Sequence, residues 1–157
     1  LIFTPTGDSS GAILAVDYGL KRVGLAVCDP QRRTAVGIGI LKGLTGRALA
    51  RAVEQAAASR QAATVVIGKP SGAGHNAQLV TGEAERLADA LKRAGFQVVR
   101  WDEAYTTATA LAERRRIGGK GKPSREWVDE AAAVIILGDY LEHIKKARKR
   151  GSSEANG

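Results

Sequence analysis

Asp17, Glu103 and Asp129 are the residues of this sequence whose type and placement point most directly to chemistry. Asp17 closes the apolar run GAILAVD (11–17), and Glu103 closes the alternating stretch FQVVRWDE (96–103). Asp129 stands just ahead of the apolar run AAAVIIL (131–137). A carboxylate leading into a segment that must be buried is costly unless it is paired or bound to a cation. Open α/β sheets place their ligands beside the carboxyl ends of their strands. If those ends are neighbours, the acids converge and repel, and a hard divalent cation, Mg²⁺ or Mn²⁺, relieves the repulsion through oxygen ligands. Two such ions about 3.5–4 Å apart activate water and stabilise the leaving oxygen of a phosphodiester. Taken singly, each acid has a plainer role. Asp17 can cap the turn around Gly19, Glu103 can be a surface acid, and Asp129 can complement a helix N-terminus. Alternation along a strand sends Asp102 and Glu103 to opposite faces, so only one of them can enter the site.

The charge balance fits a polyanionic partner. Lys and Arg number 24 against 16 acidic residues, a net charge of +8, and cationic side chains that neutralise phosphates release counterions on binding. The candidate nucleic-acid contacts are Lys21 and Arg22 beside Asp17, and the cluster Arg114, Arg115, Arg116, Lys120, Lys122 and Arg125 on a glycine-broken stretch just before Asp129. A second run, Lys145 to Arg150, lies in a C-terminal segment (145–157) expected to be a frayed, basic tail. Tyr18, Tyr105 and Trp101 are too few and too scattered for a single-strand stacking platform. His75 reads as a loop histidine and His143 as a surface position on the last helix. The lone cysteine, Cys28, follows an apolar run and reads as a buried, inert thiol.

At 157 residues the chain suits one domain, expected over 11–144 after a flexible start (1–10). No apolar run has the length of a membrane span, and the first residues lack signal-peptide character; a cytoplasmic protein, monomer or homodimer, is expected. Residues 11–17, 23–28 and 34–41 read as an antiparallel meander, 45–60 as a helix with apolar Leu49, Val53, Ala56 and Ala57, and 62–68 as a buried strand. A helix over 76–94 ending at Gly95, a strand over 96–103, a helix over 106–117, and a last helix from Ser124 to about 144 complete the chain. The fold class is α/β, a mixed sheet with helices on its faces.

The segment AVDYGLKRVGLAV (15–27), followed in order by VVIGKP (65–70), WDEAYTT (101–107) and VDEAAAVIIL (128–137), resembles the motifs of the YqgF/RuvX family of ribonuclease H-like nucleases across roughly residues 12–142. The resemblance implies a five-stranded mixed sheet and a catalytic, metal-binding triad of Asp17, Glu103 and Asp129 with Mg²⁺ or Mn²⁺. It implies an activity in maturing the 5′ end of precursor 16S ribosomal RNA or, by older naming, in resolving Holliday junctions. Two departures stand out. Ala104 occupies the place where the family usually has arginine, and the loop after Pro70 lacks the family's frequent acid, leaving Glu126 and Glu130 as the nearest substitutes for a fourth ligand. A dinucleotide-type pattern at 72–77 fails because the opening meander leaves no room for paired βαβ units. The D-x-G turn at Asp17 also resembles the phosphate hairpin of actin-like ATPases, which need two lobes where this length holds one. A catalytically silent RNA-binding or transcription-associated module on the same fold remains a rival.

Overall fold

The computed structural model describes residues 11–69, 75–102 and 125–155, with side chains for 11–68, 78–102 and 130–151. Its elements follow the hydrophobic pattern. Strands β1 (Ala12–Tyr18), β2 (Arg22–Cys28) and β3 (Ala35–Lys42) form the meander, then helix α1 (Gly46–Ser59), strand β4 (Ala62–Lys69), helix α2 (His75–Arg93), strand β5 (Gln97–Asp102) and helix α3 (Arg125–Ala155). The five strands are ordered β3-β2-β1-β4-β5. The β1–β2 and β2–β3 pairs are antiparallel, and the β1–β4 and β4–β5 pairs are parallel. This is the mixed sheet expected from the sequence. The helix expected over 106–117 lies outside the described residues.

Strand alternation builds two cores. Leu14, Val16 and Tyr18 of β1 join Val65 and Ile67 of β4 beneath α1 and α2. Ile13 and Ala15 join Ala26, Cys28 and Val66 beneath Ala133, Ile136, Leu137 and Leu141 of α3. Helix α2 ends where glycine permits a left-handed turn. Gly95 has φ +100°, its N–H donates to Lys92 O, and the Phe96 N–H donates to Leu91 O, each at 3.0 Å, which is a Schellman closure. At the β2–β3 turn the Asp29 carboxylate accepts from the Arg33 and Thr34 N–H groups at 2.7 Å, and these bonds hold its pKa below the ordinary value.

Helix α3 crosses its face of the sheet diagonally. Near its start Glu130 lies against Gly37 of β3, and further on Tyr140 meets the Trp101 ring of β5 edge-on, centroids 5.6 Å apart. The helix does not end near 144 but continues to Ala155. Lys145 to Arg150 are all good helix formers and extend the last helix, where a frayed tail was expected; propensity does not explain its last turn through Gly151, Ser152 and Ser153.

The Glu130 contact exposes a close approach. A methyl group at Gly37 would overlap the Glu130 side chain, coming within 2.6 Å of Cδ. Because those atoms are the end of a flexible, half-buried side chain, Gly37→Ala is expected to turn the Glu130 carboxylate aside and to shift the chemical-denaturation midpoint by less than about 1 kcal/mol. Gly82→Ala, inside α2 and meeting open space, is expected to stabilise the fold by about 0.5–1 kcal/mol.

Candidate active site

Asp17 is half-buried near the carboxyl end of the central strand. Its neighbours Val16 and Tyr18 face α1 and α2, so alternation turns Asp17 toward the face that α3 covers. Its partner on β2 is Gly24. On the other side Val16 pairs with Ile67, and the register continued by one residue sets Gly68 beside Asp17. Beyond Gly68 comes Trp101 of β5. Asp17 thus lies in a row running Gly24, Asp17, Gly68, Trp101, with a residue lacking a side chain on either hand. Both glycines are buried, so the two nearest positions of that row place no side chain beside the carboxylate. The turn that follows is tight, because a Cβ at Gly19 would stand 2.6 Å from Arg22 O. The hairpin consequently holds Asp17 on a short tether.

The remaining acids are placed unequally. Asp102 ends β5 on the face opposite Asp17. It shares the parity of Arg100, whose Nη2 pairs with Glu85 Oε1 of α2 at 3.5 Å, whereas Val99 and Trp101 pack under α3. The next position in that alternation is 103, but Glu103 itself lies outside the described residues. Asp129 belongs to α3, one turn before the fully buried Ala133 on the Asp17 face; its side chain lies outside those described, as do those of Glu126 and Arg125. Glu130 sits over β3, two strands from β1, roughly 10 Å sideways at the usual strand spacing. It is therefore poorly placed as a fourth ligand beside Asp17. Among the described residues no three His, Cys, Asp or Glu side chains gather as metal ligands.

Lys21 is exposed in the β1–β2 turn, and Arg22, opposite Lys42 in β3, is half-buried. Arg114, Arg115, Arg116, Lys120 and Lys122, together with Ala104 and Tyr105, lie outside the described residues, as does the side chain of His75. Tyr18 is buried under α1 and α2, and burial followed by the charge of Glu83 raises its pKa, so it is not free to stack on a base. Cys28 is buried, accepts a hydrogen bond from the Ile13 N–H at 3.2 Å, and has its pKa raised chiefly by burial; it is the inert thiol expected. Sequence reasoning missed the two glycines that flank Asp17, because strand register decides which residues become neighbours. It also passed over Arg100, a charged residue in a strand otherwise of apolar character, which is the signal that marks it.

The five-stranded mixed sheet in the order 3-2-1-4-5, with helices on both faces and an aspartate next to the last residue of its central strand, is a ribonuclease H-like fold. The solved structure of Thermus thermophilus RuvC in complex with Holliday junction substrate superposes with a TM-score of 0.58 at 18% identity, over 88% of this chain and 96% of that one. A second structure of Thermus thermophilus RuvC gives 0.56 at 16% identity, over 84% and 96%. The family model described as "RuvX: Holliday junction resolvase" matches residues 11–143, and the chain belongs to that family, a family of nucleases. Among its curated relatives, the "Putative pre-16S rRNA nuclease" of Agathobacter rectalis is 32% identical over 87% of this chain and 98% of its own length. The protein so named in Streptomyces coelicolor is 37% identical over 88% and 89%.

The glycine row gives the site a direct test. Gly24→Val adds a branched side chain beside Asp17 in a residue type that strands favour. It is expected to cut nuclease turnover about 100-fold by displacing the reacting phosphate, with the thermal midpoint recorded alongside to separate that loss from overpacking at this buried position.

Proposed function

We propose that this protein is a divalent-metal-dependent nuclease that hydrolyses phosphodiester bonds in the maturation of the 5′ end of precursor 16S ribosomal RNA. The observation that carries the reading is Asp17, set between glycines near the end of the central strand, on the face crossed by the helix that contains Asp129. Asp17, Glu103 and Asp129 are the residues that would hold Mg²⁺ or Mn²⁺. The donor chemistry fits a hard cation: Asp17 offers carboxylate oxygen, and the one thiol, Cys28, is buried and bonded to backbone. When bound, such ions supply Lewis-acid stabilisation of the phosphate and of the attacking water.

The chain's own part is positional. Asp17 presents a carboxylate in a row whose nearest positions, Gly24 and Gly68, carry no side chain, and the turn that follows it through Gly19 is tight. Exposed Lys21 in the same turn, and the cations at 114–125, are suited to the phosphate backbone, which sets the register of the strand on the protein. Arginine is missing at 104, so these cations take the phosphate contact the family usually places there. A ribosomal substrate puts the work in the cytoplasm.

Two substrates are compared in one assay: precursor 16S RNA with its 5′ extension, and a four-way DNA junction, each with Mn²⁺, with Mg²⁺ and with EDTA. Cleavage of the RNA is expected with either metal and not with EDTA. Asp17→Asn should lose roughly 100-fold or more of turnover, as for removal of a group that acts in the transition state, while keeping its thermal midpoint. Preferential cutting of the junction would assign the protein to branched DNA. Binding without cleavage of either would assign it to the silent module.

A further inference from the structure

Beside the edge strand β5 lies a cleft of about 740 Å³, lined by Arg100, Trp101, Asp102, Asp139, Glu142, His143 and Lys146. Its aromatic wall is fixed. Tyr140 meets Trp101 edge-on at 5.6 Å, and the exposed His143 ring packs on the same indole at 5.1 Å with a 59° tilt. Arg100 is the unusual member. Its side chain is only 12% exposed, yet none of its three nitrogens makes a hydrogen bond among the described residues. Its ion-pair partner, Glu85, is half-exposed at 3.5 Å. Burial lowers the Arg100 pKa, opposed by Glu85, but arginine stays charged in proteins. Buried donors left unmade are costly, and a ligand bearing acceptors would relieve that cost.

The wall narrows the ligand class. A bare phosphate needs donors only, and Asp139 and Glu142 would repel it. A nucleobase carries donors and acceptors together and stacks on aromatic rings, which is how unpaired RNA bases are held. Guanine matches this set best. Its O6 and N7 form the acceptor pair that a guanidinium fork meets, and its N1–H and N2–H donors suit a carboxylate. Lys146 is then left for the backbone phosphate of the same nucleotide.

We propose that this cleft is a base-specific subsite that holds an unpaired guanine of the substrate strand. The proposal rests on the nuclease reading for its substrate. Trp101 stands two strands from Asp17 in the same sheet row, roughly 10 Å away at the usual strand spacing. At about 3.4 Å per stacked nucleotide, the guanine lies about three nucleotides from the scissile phosphate.

The test reads Trp101 fluorescence in a Trp127→Phe background, which leaves one tryptophan of the two in the chain, in EDTA so that no cleavage occurs. GMP, AMP, CMP and UMP are titrated separately, followed by an oligouridylate with and without one central guanosine. GMP is expected to quench saturably and to bind roughly ten-fold tighter than the other three, and the guanosine-containing oligomer should bind tighter than GMP. Arg100→Gln and, on the exposed helix surface, His143→Ala and Glu142→Gln should each weaken GMP about five-fold or more, with thermal midpoints recorded alongside. Equal affinity for all four nucleotides, no saturable quenching, or GMP affinity unchanged in the two helix-surface variants would overturn the proposal. An oligomer that binds more weakly than GMP would overturn its assignment to the substrate strand. Because neither metal nor turnover is involved, failure here leaves the nuclease reading intact, and loss of nuclease activity leaves the GMP result to be judged separately.

Discussion

The close seating of α3 on the sheet is the constraint from which the rest of the structure follows. The contact is made by small residues: Ala15 and Ala26 below and Ala133 above, all fully buried, with Gly37 leaving space for the Glu130 side chain. Alanine and glycine let a helix backbone come down near the strands, and larger residues would lift it. Because the helix passes from β3 to β5, one rigid element carries Asp129 at its start and the Tyr140–His143 wall further along. The acid site and the β5 cleft are thereby fixed relative to each other by a single helix. Burial of Ile136, Leu137 and Leu141 supplies the apolar driving force for that seating, about 1.5–3 kcal/mol for each fully buried side chain.

Much of this fold can be read along the chain. The runs AILAV, LAV and TVVI are apolar without interruption because helices cover both faces of their strands, and burial of that kind leaves an unmistakable pattern. Glycine at 95 marked the end of α2 for the same reason that it closes it: the position needs a positive φ. Alternation along β5 gives Asp102 the parity of Arg100, whose partner Glu85 lies on α2, while residue 103 lies outside the described residues. The last helix was harder to bound. From residue 145 to 151 its side chains are solvent-facing and mostly basic, so no apolar period marks the helix that continues to Ala155.

Register is where sequence reading runs out. Nothing in the order of residues says that Gly24 sits opposite Asp17 or that the β1–β4 register brings Gly68 to the other side. Those pairings decide whether side chains or bare backbone stand beside the aspartate. The same blindness made Glu130 a candidate ligand, since it adjoins Asp129 in the chain; on a helix, adjacent residues diverge by about 100°, and Glu130 is turned toward β3. Arg100 and Trp101 are adjacent too, yet the edge position of β5 lets both line one cleft. The site is thus a product of strand order as much as of residue type.

The central claim is that acids distant in sequence meet on one face of the sheet at Asp17. Iron-directed backbone cleavage tests it without reference to any substrate. Fe²⁺ replaces Mg²⁺, ascorbate and peroxide generate hydroxyl radicals at the bound ion, and the chain is cut beside it. Cuts are expected at the end of β1 and the start of β2, at the end of β4, after β5 and near residue 129, all lost in Asp17→Asn. Cuts centred on Gly37 and Glu130, or a pattern indifferent to Asp17→Asn, would contradict it.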